Sequence, residues 1–185
     1  MKLENLKDFE WYNEPENVIF TDQQMKICAK PLTDFWQSLH HKISKDNGHF
    51  FYKRCQGDFV FGAKFCFEDL SGFKQCGLMV RIDQRNWFKV SLMFEAKDKH
   101  IIGTCLTNCG YSDWAEVPLE NETDEIYYKI KRKGDDFMAF YSLDGTNFKK
   151  LRQFYLQNVQ PEVKIGAYWC APQNEGFEAV LGEIF

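Results

Sequence analysis

The residues best suited to binding chemistry lie in one segment of alternating character, Cys76 to Glu95. Its polar positions hold a guanidinium, an ammonium, two carboxylates and an indole, contributed by Arg81, Lys89, Asp83, Glu95 and Trp87. A ligand site combines an apolar or aromatic surface with a few polar groups that fix the orientation of the ligand. The segment therefore predicts a site for a polar ligand, provided that these side chains point to the same side.

The alternation of apolar residues predicts which way they point. Apolar side chains occupy every second position in both halves of the segment, at Leu78, Val80 and Ile82 and then at Phe88, Val90, Leu92 and Phe94. Each half is therefore a strand with one face in the core. Paired residues project to the same face, so a hairpin with Ile82 opposite Phe88 and a three-residue loop, 84–86, satisfies both strands. This register places Arg81 opposite Lys89 and Asp83 opposite Trp87, on the face away from the core.

The predicted register brings two positive charges together. Like charges directly opposite each other destabilise a sheet by a few tenths to about 1 kcal/mol. Asp83 on the diagonal and Glu95 further along the face can offset part of this repulsion, and so can an anionic ligand group such as a carboxylate or a phosphate. The alternative interpretation is a solvated sheet face with mixed charges, because surface charges on their own contribute little.

Three further candidates lie outside this hairpin. His49 follows the turn sequence 46–48 and is either a donor that lines a groove or a hydrogen-bonded histidine at the start of a strand. Asp113 and Trp114 follow Tyr111-Ser112 in a turn-like setting, which favours an exposed indole at Trp114. Tryptophan is more often a core residue than a ligand platform. Trp87 is the stronger candidate of the two because the alternation places it on the polar face.

Short strands with turn residues between them recur along the chain and predict an all-β fold. Phe59 to Phe67 alternates with period two, and the alternation recurs at 126–131, 137–143, 163–169 and 177–185. Asp144-Gly145-Thr146-Asn147 is a turn sequence that supplies a positive φ at Gly145. Residues 31–47 depart from the pattern, because Phe35 and Leu39 share a weak helical stripe. The spacing favours an antiparallel two-sheet sandwich, with residues 1–185 as a single domain.

Composition and charge limit which kinds of partner the protein is expected to bind and in which cell compartment it is expected to lie. The chain has 185 residues and a formal net charge of −4, and without a basic patch no nucleic-acid partner is expected. It has neither the apolar core of a signal peptide at its beginning nor a run of about 18 apolar residues, so a cytoplasmic location without membrane association is expected. Its seven cysteines include no CxxC pair, which predicts reduced thiols, no metal site and no cofactor.

Several motifs also resemble those of one family. They are Thr33-Asp34-Phe35-Trp36, Asp46-Asn47-Gly48-His49-Phe50, Gly77-Leu78-Met79-Val80-Arg81-Ile82-Asp83, Asn86-Trp87, Thr107-Asn108, Tyr111-Ser112-Asp113-Trp114 and Ser142-Leu143-Asp144-Gly145. Over nearly its whole length the chain is similar to a little-characterised group of bacterial and fungal proteins that includes the yeast regulation-of-enolase protein. The resemblance implies a concanavalin A-like jelly roll, the sandwich of many lectins and glucanases. It implies no settled activity, and fold does not supply function.

The leading hypothesis is that the concave face of the sheet binds a small polar ligand, a carbohydrate or a sugar acid. Stacking is assigned to Trp87 and Trp114, the anionic group to Arg81 and Lys89, and hydroxyl hydrogen bonds to Asp83, Glu95, Asp113 and His49. One alternative is a carbohydrate-active hydrolase or lyase that uses Asp83 and Glu95 on the same face. However, no strand has the Glu-x-Asp-x-x-Glu pattern that glucanases of this fold class use to pair their carboxylates. The other alternative is a protein-interaction module that regulates a metabolic enzyme.

Overall fold

The structure, a computed structural model, describes residues 6–21, 23–39, 43–96, 99–120 and 123–185. These residues form sixteen strands: β1 Glu10–Tyr12, β2 Asn17–Phe20, β3 Met25–Ala29, β4 Phe35–Leu39, β5 Ile43–Asp46, β6 His49–Gln56, β7 Phe59–Phe67, β8 Gln75–Asp83, β9 Asn86–Ala96, β10 Lys99–Asn108, β11 Tyr111–Leu119, β12 Glu125–Lys133, β13 Asp136–Ser142, β14 Lys149–Tyr155, β15 Glu162–Cys170 and β16 Phe177–Ile184. In these ranges no helix is long and apolar enough to cross a membrane.

Two seven-stranded antiparallel sheets pack face to face. Sheet A has the order β1-β6-β15-β8-β9-β10-β11, and sheet B has the order β14-β13-β12-β7-β16-β3-β2. Strands that are distant in sequence, such as β6 and β15, lie side by side, which gives the sheets the crossover connections of a jelly roll. The predicted antiparallel two-sheet sandwich is confirmed.

The alternation predicted for β7 places its apolar side chains between the two sheets. Phe61 and Phe65 are buried there, and they pair with Ile130 and Ile126 of β12. Burial of a large apolar side chain stabilises the fold by roughly 1.5–3 kcal/mol. The core between the sheets is thus built from the positions that the period-two pattern predicts.

The weak helical stripe predicted in residues 31–47 is wrong. Phe35–Leu39 and Ile43–Asp46 form β4 and β5, which pair with each other as a separate two-stranded sheet. Helix preference in so short a segment is small, and tertiary packing overrides it. This β4–β5 pair, here called the cover hairpin, lies on the side of sheet A that is turned away from sheet B, where Phe35 is fully buried.

β8 and β9 pair in a register that differs from the predicted one. Val80 lies opposite Phe88, and Arg81 lies opposite Trp87. The difference is two residues, so Arg81, Lys89 and Trp87 stay on their predicted face. However, Arg81 and Lys89 do not face each other across the ladder, and the predicted repulsion between them is wrong.

A bulge explains the error in the register. The ladder is irregular between Arg81 and Asp83, and Asp83 pairs with Asn86 across a two-residue turn. Ile82 has no partner in this ladder and packs, partly buried, against the core between the sheets. A bulge adds one unpaired residue to one strand, so the alternation alone did not determine the loop length.

Candidate functional site

The outer face of sheet A, the face turned away from sheet B, holds the charged residues of β8 and β9. Arg81 Nη1 and Nη2 donate to Asp46 Oδ1 and Oδ2 at 2.7 and 2.9 Å. Tyr12 Oη donates to the same carboxylate at 2.7 Å. The side chains of Arg81 and Asp46 are only 4% and 12% exposed. A bidentate pair of this kind is charge-assisted and geometrically specific, so the anion that Arg81 needs is supplied within the chain.

Lys89 has an internal partner as well. Its Nζ lies 3.0 Å from Asp34 Oδ1. Burial is the largest single influence and disfavours the ammonium, but the charge of Asp34, the nearby thiols of Cys170 and Cys105 and the hydrogen bond to Asp34 together outweigh it and hold the pKa of Lys89 above its ordinary value. The side chain of Lys89 is 2% exposed and that of Asp34 is 19% exposed. The pair therefore presents its carboxylate to solvent more than its ammonium.

Trp87 lies on the predicted face but is sealed in the interior. Its side chain is 0% exposed, and its Nε1 donates to Gln84 O at 3.1 Å. Phe35 of the cover hairpin packs edge-on against the indole, with the ring centroids 6.4 Å apart. The expectation that Trp87 is an accessible platform is wrong, because the cover hairpin occupies the surface on which a ligand would stack.

A cavity of about 360 Å³ opens on the part of the outer face that the cover hairpin leaves free. Its apolar lining consists of Trp36, Ile43, Phe73, Met93, Ile101, Trp114 and Pro172. Its polar lining consists of Asp34, Gln75, Lys89 and Glu116. Sites for small molecules have volumes of roughly 300–1,000 Å³ and combine apolar walls with a few polar groups. This tryptophan cavity therefore has the size and composition of a site for a small ligand.

The two indoles of the tryptophan cavity are positioned by their neighbours. A methyl group on Gly103 of β10 would overlap the Trp114 ring, so the absence of a side chain at Gly103 lets the indole lie over that strand. Trp114 Nε1 donates to Glu116 Oε2 at 3.0 Å. The ring of Trp36, on the cover hairpin, is 6.4 Å from that of Trp114, with 55° between the ring planes. The two rings thus meet at an angle and form an aromatic corner.

Asp83 and Asp113, which were also predicted to bind the ligand, lie outside the tryptophan cavity. The Asp83 carboxylate accepts from Arg85 N at 2.7 Å and so caps the β8–β9 turn. Asp113, on β11, has a 69% exposed side chain and lies 3.3 Å from Arg152 Nη2. Glu95 belongs to β9, and its side chain lies outside the described part of the structure. Of the predicted ligand-binding residues, Lys89 and Trp114 line the cavity.

His49 is held at the start of β6 as a neutral, hydrogen-bonded ring. Lys30 N donates to His49 Nε2 at 3.1 Å, and His49 Nδ1 lies 2.6 Å from Asn13 O. Both contacts are satisfied when the proton is on Nδ1. Burial lowers the pKa of His49, and the hydrogen bond to Asn13 opposes this only in part. This geometry matches the alternative of a hydrogen-bonded histidine at a strand start.

The sequence prediction missed, among other cavity residues, the four that are central to its proposed chemistry: Asp34, Trp36, Gln75 and Glu116. The period-two pattern contained the signal for two of them. Glu116 is two residues beyond Trp114, and Gln75 is six residues before Arg81, so each shares the outer face with a residue already singled out. Asp34 and Trp36 lay in a segment interpreted as a weak helix, which concealed their position over sheet A.

A larger cavity, of about 740 Å³, lies where β7 and β9 end and where β10 and β12 begin. Its lining includes the carboxylates of Glu68, Asp69 and Asp124, together with Phe94 and His100. Within the described ranges, no group of three His, Cys, Asp or Glu side chains is arranged to hold a metal ion. The Phe94 ring is stacked on His100, with centroids 3.8 Å apart, and does not offer a free platform. The tryptophan cavity is therefore the stronger candidate.

The fold and the tryptophan cavity define a class of protein: a concanavalin A-like β-sandwich with a cavity of about 360 Å³ on the outer face of one sheet. Within that class, the chain belongs to the family described as "Protein of unknown function (DUF1349)", whose model matches residues 11–184. The family resemblance predicted from the sequence motifs is confirmed.

Comparison with individual proteins supports this assignment. Regulation of enolase protein 1 of Saccharomyces cerevisiae is 24% identical over 174 residues, which cover 94% of this chain and 86% of the relative. The crystal structure of a functionally unknown protein from Saccharomyces cerevisiae is similar with a TM-score of 0.90 at 21% identity, covering 97% of this chain and 96% of the other.

Two carbohydrate-related structures share the fold. Carbohydrate binding module CBM66 from Bacillus subtilis has a TM-score of 0.58 at 14% identity, covering 94% of this chain and 92% of the module. A xylan beta-1,4-xylosidase from Bacillus halodurans C-125 has a TM-score of 0.69 at 10% identity. The match covers 96% of this chain but 38% of the xylosidase, so the chain corresponds to less than half of that enzyme. At these identities the likeness establishes the fold.

Proposed function

We propose that this protein binds a small neutral carbohydrate in the tryptophan cavity. The observation that supports this best is the angled pair of indoles, Trp36 and Trp114, beside an amide, an ammonium and two carboxylates. The apolar face of a sugar ring packs on aromatic surface, while its hydroxyls need donors and acceptors at fixed positions. The similarity of the fold to a carbohydrate binding module adds support.

The charges around the cavity favour a neutral saccharide over a sugar acid or a sugar phosphate. Lys89 and Asp34 neutralise each other, which leaves Glu116 as the excess charge in the lining. An anionic ligand would meet a net negative lining, and a negative charge in a partly buried site is costly without a free cation. The sequence predicted that Arg81 and Lys89 bind an anionic group of the ligand. Because both cations have internal partners, we propose a neutral ligand in its place.

Lys89 still has hydrogen-bonding capacity for a sugar hydroxyl. An ammonium has three donor hydrogens, and the described hydrogen bond of Lys89 Nζ goes to Asp34 Oδ1. Asp34 Oδ1 also accepts from Phe35 N at 2.7 Å, which fixes the orientation of the carboxylate. A hydroxyl that accepts from Lys89 and donates to Asp34 would fit this arrangement of a fixed donor beside a fixed acceptor.

A panel of saccharides tests the proposal. Neutral sugars (xylose, xylobiose, glucose, cellobiose), glucuronate and glucose 6-phosphate are added at millimolar concentration, and the midpoint of thermal unfolding is measured. A ligand that binds the folded state stabilises it by RT ln(1 + [L]/Kd). At least one neutral saccharide should raise the midpoint, and glucuronate and glucose 6-phosphate should not.

Matched variants locate the binding site. Trp114→Ala should lower the affinity for that saccharide by about tenfold or more, because stacking on an aromatic ring is worth about 1 kcal/mol beyond the area that it buries. Tyr155→Ala is the control, since Tyr155 is a 49% exposed aromatic residue on sheet B outside the cavity. No stabilisation of the parent protein by any neutral saccharide, or unchanged affinity in Trp114→Ala, would overturn the proposal.

Hydrolysis is a weaker candidate than binding. Among the side chains that the structure describes, the carboxylates in the cavity lining are those of Asp34 and Glu116. Asp34 is ion-paired with Lys89, and Glu116 accepts from Trp114 Nε1. Both groups already serve the structure of the cavity, whereas a glycosidase needs one carboxyl free to protonate the leaving oxygen.

A protein partner is the second candidate, and the rim of the cavity favours it. Ile43 and Phe73 line the cavity and are 45% and 42% exposed. A partner could insert an apolar side chain between them, and the name of the yeast relative, Regulation of enolase protein 1, suggests a regulatory role for that protein. The variant Ile43→Ser/Phe73→Ser separates the two candidates, because it should abolish capture of such a partner but weaken binding of a monosaccharide less than Trp114→Ala does.

The cytoplasmic location is also a proposal. The seven cysteines are all free in the structure. Burial raises the pKa of the Cys105 thiol to about 11, so this group is protonated at neutral pH. Free, protonated thiols are typical of a protein kept in a reducing compartment. Cell fractionation tests the proposed location, since the tagged protein should be recovered in the cytosolic fraction.

A further inference from the structure

We propose that the tryptophan cavity receives the end of a saccharide chain rather than its interior. The inference rests on the proposed function, since it requires a carbohydrate in this cavity. The observation behind the inference is that the cavity has two walls. They meet at Asp34, and each closes the outer face of sheet A in one direction.

The first wall is the cover hairpin, which spans sheet A from edge to edge. At the β1 edge, Tyr12 Oη donates to Asp46 Oδ2. At the β11 edge, Gln37 N donates to Ser112 Oγ at 3.0 Å. Between the edges, the ion pair of Arg81 with Asp46 attaches the hairpin to β8. A saccharide chain therefore cannot continue along the strands past this hairpin.

The second wall closes the side towards β15. Leu32 N donates to Gln173 O at 2.9 Å, and Thr33 N donates to Ala171 O at 3.1 Å, so residues 31–34 are fastened beside the segment that follows β15. Pro172 of that segment lines the tryptophan cavity. A saccharide chain that crosses the strands from the β11 edge would stop at this wall.

The corner where the walls meet is equipped for a terminal sugar. Asp34, the last residue of the second wall, directly precedes the cover hairpin and holds the Lys89 ammonium at 3.0 Å, and Gln75 lines the same cavity. A terminal residue has a hydroxyl that is free in place of the next glycosidic bond, and these three side chains offer it donors and acceptors. Trp114 and Glu116 lie on the edge strand β11, where the remainder of the chain would leave.

The test measures whether the amount of bound protein depends on the number of chain ends or on the mass of the polymer. Soluble xylan, dextran and inulin are each titrated with the full-length protein before and after partial hydrolysis to shorter chains. Binding to ends predicts that the amount of protein bound per gram of polymer rises in proportion to the number of chains. A fivefold reduction of the mean chain length should therefore raise it about fivefold. The disaccharide made of the same sugar as the polymer should compete for the same site. The variant Trp114→Ala should reduce binding to every polymer that binds the parent protein.

The outcomes distinguish this inference from the proposed function. A polymer that binds with a capacity per gram unchanged by cutting would overturn end recognition and leave carbohydrate binding in place. Binding of disaccharides without binding to any cut polymer would also overturn end recognition. If neither the polymers nor any mono- or disaccharide of the panel binds, the proposed function is itself wrong and the inference is lost with it.

Discussion

The two parts of the outer face of sheet A are built from the same strands, yet they differ in access. Under the cover hairpin, Arg81, Trp87 and Asp46 form a sealed cluster, in which the indole is 0% exposed. In the tryptophan cavity, Lys89 and Trp114 are combined with Asp34 in a site that is open to solvent. Each part contains a cation, a carboxylate and an indole.

This difference shows that residue types alone do not decide between a structural and a binding role. The Arg81–Asp46 pair attaches the cover hairpin to sheet A, and the Lys89–Asp34 pair closes the inner end of a cavity. Which role a pair has depends on where the cover hairpin ends. Removal of a single group in each part should therefore have separable effects on stability and on binding.

The largest effect on stability is expected in the sealed part. Arg81→Met leaves the Asp46 carboxylate buried without its partner, and breaking a buried pair in this way costs about 3–5 kcal/mol. Unfolding in urea should show a free energy of unfolding reduced by about 3 kcal/mol, since Asp46 keeps some exposure. The double variant Arg81→Met/Asp46→Leu should recover part of the loss. Affinity of the folded protein for saccharide should stay within about twofold of the parent, and a larger drop would contradict the separation.

The equivalent change in the open part should affect both properties. Lys89→Met removes the partner of Asp34, but that carboxylate is 19% exposed and regains some water, so the expected loss of stability is about 2 kcal/mol. A hydrogen bond to a charged group is worth about 1.5–3 kcal/mol, so saccharide affinity should fall by at least tenfold. Calorimetric titration and urea unfolding measure the two effects. Unchanged affinity would show that Lys89, like Arg81, has only a structural role.

A smaller effect is expected from a residue that does not touch the ligand. The methyl group of Gly103→Ala would overlap the Trp114 ring and force the indole to move. Misplacing an aromatic platform worth about 1 kcal/mol should lower saccharide affinity by up to about fivefold. In a Trp114→Ala background the same change should cost no further affinity. Equal losses in both backgrounds would mean that Gly103 acts in some other way than by positioning the indole.

The smallest expected effect is on the pH dependence of stability, from a residue outside both parts. Burial lowers the pKa of His49 below its value in the unfolded chain, about 6.5. Below that value the unfolded state binds a proton more readily than the folded state, so the stability contributed by neutral His49 is present above pH 6.5 and is lost progressively as the pH falls from there towards the lower pKa of the folded state. The difference in free energy of unfolding between the parent and His49→Gln should therefore narrow between pH 7.5 and 5.5. A constant difference would show that His49 does not titrate in this range.

The sequence predicted the sandwich because its core positions follow a local rule. The alternation at Phe59–Phe67 corresponds to β7 with the same bounds, and the turn at Gly145 has the predicted positive φ of 73°. Such features depend on neighbours within one strand or one turn. They could be predicted without any knowledge of the rest of the molecule.

The site was harder to predict because it depends on contacts between distant segments. Asp34 and Asp46 reach Lys89 and Arg81 across 55 and 35 positions of the chain, and no local pattern reports such pairs. The two-residue error in the β8–β9 register came from the bulge at Ile82, which parity could not reveal. The cover hairpin was interpreted as a weak helix, and so the cluster on the outer face was taken to be open throughout.

Fluorine NMR of the protein labelled with 5-fluorotryptophan is the most direct test of the difference between the sealed and open parts. The five tryptophans give five signals, which Trp→Phe variants assign. On titration with the neutral saccharide that binds, the signals of Trp36 and Trp114 should shift in a saturable way, while that of Trp87 stays in place. A saturable shift of Trp87 without shifts of Trp36 and Trp114 would contradict the account.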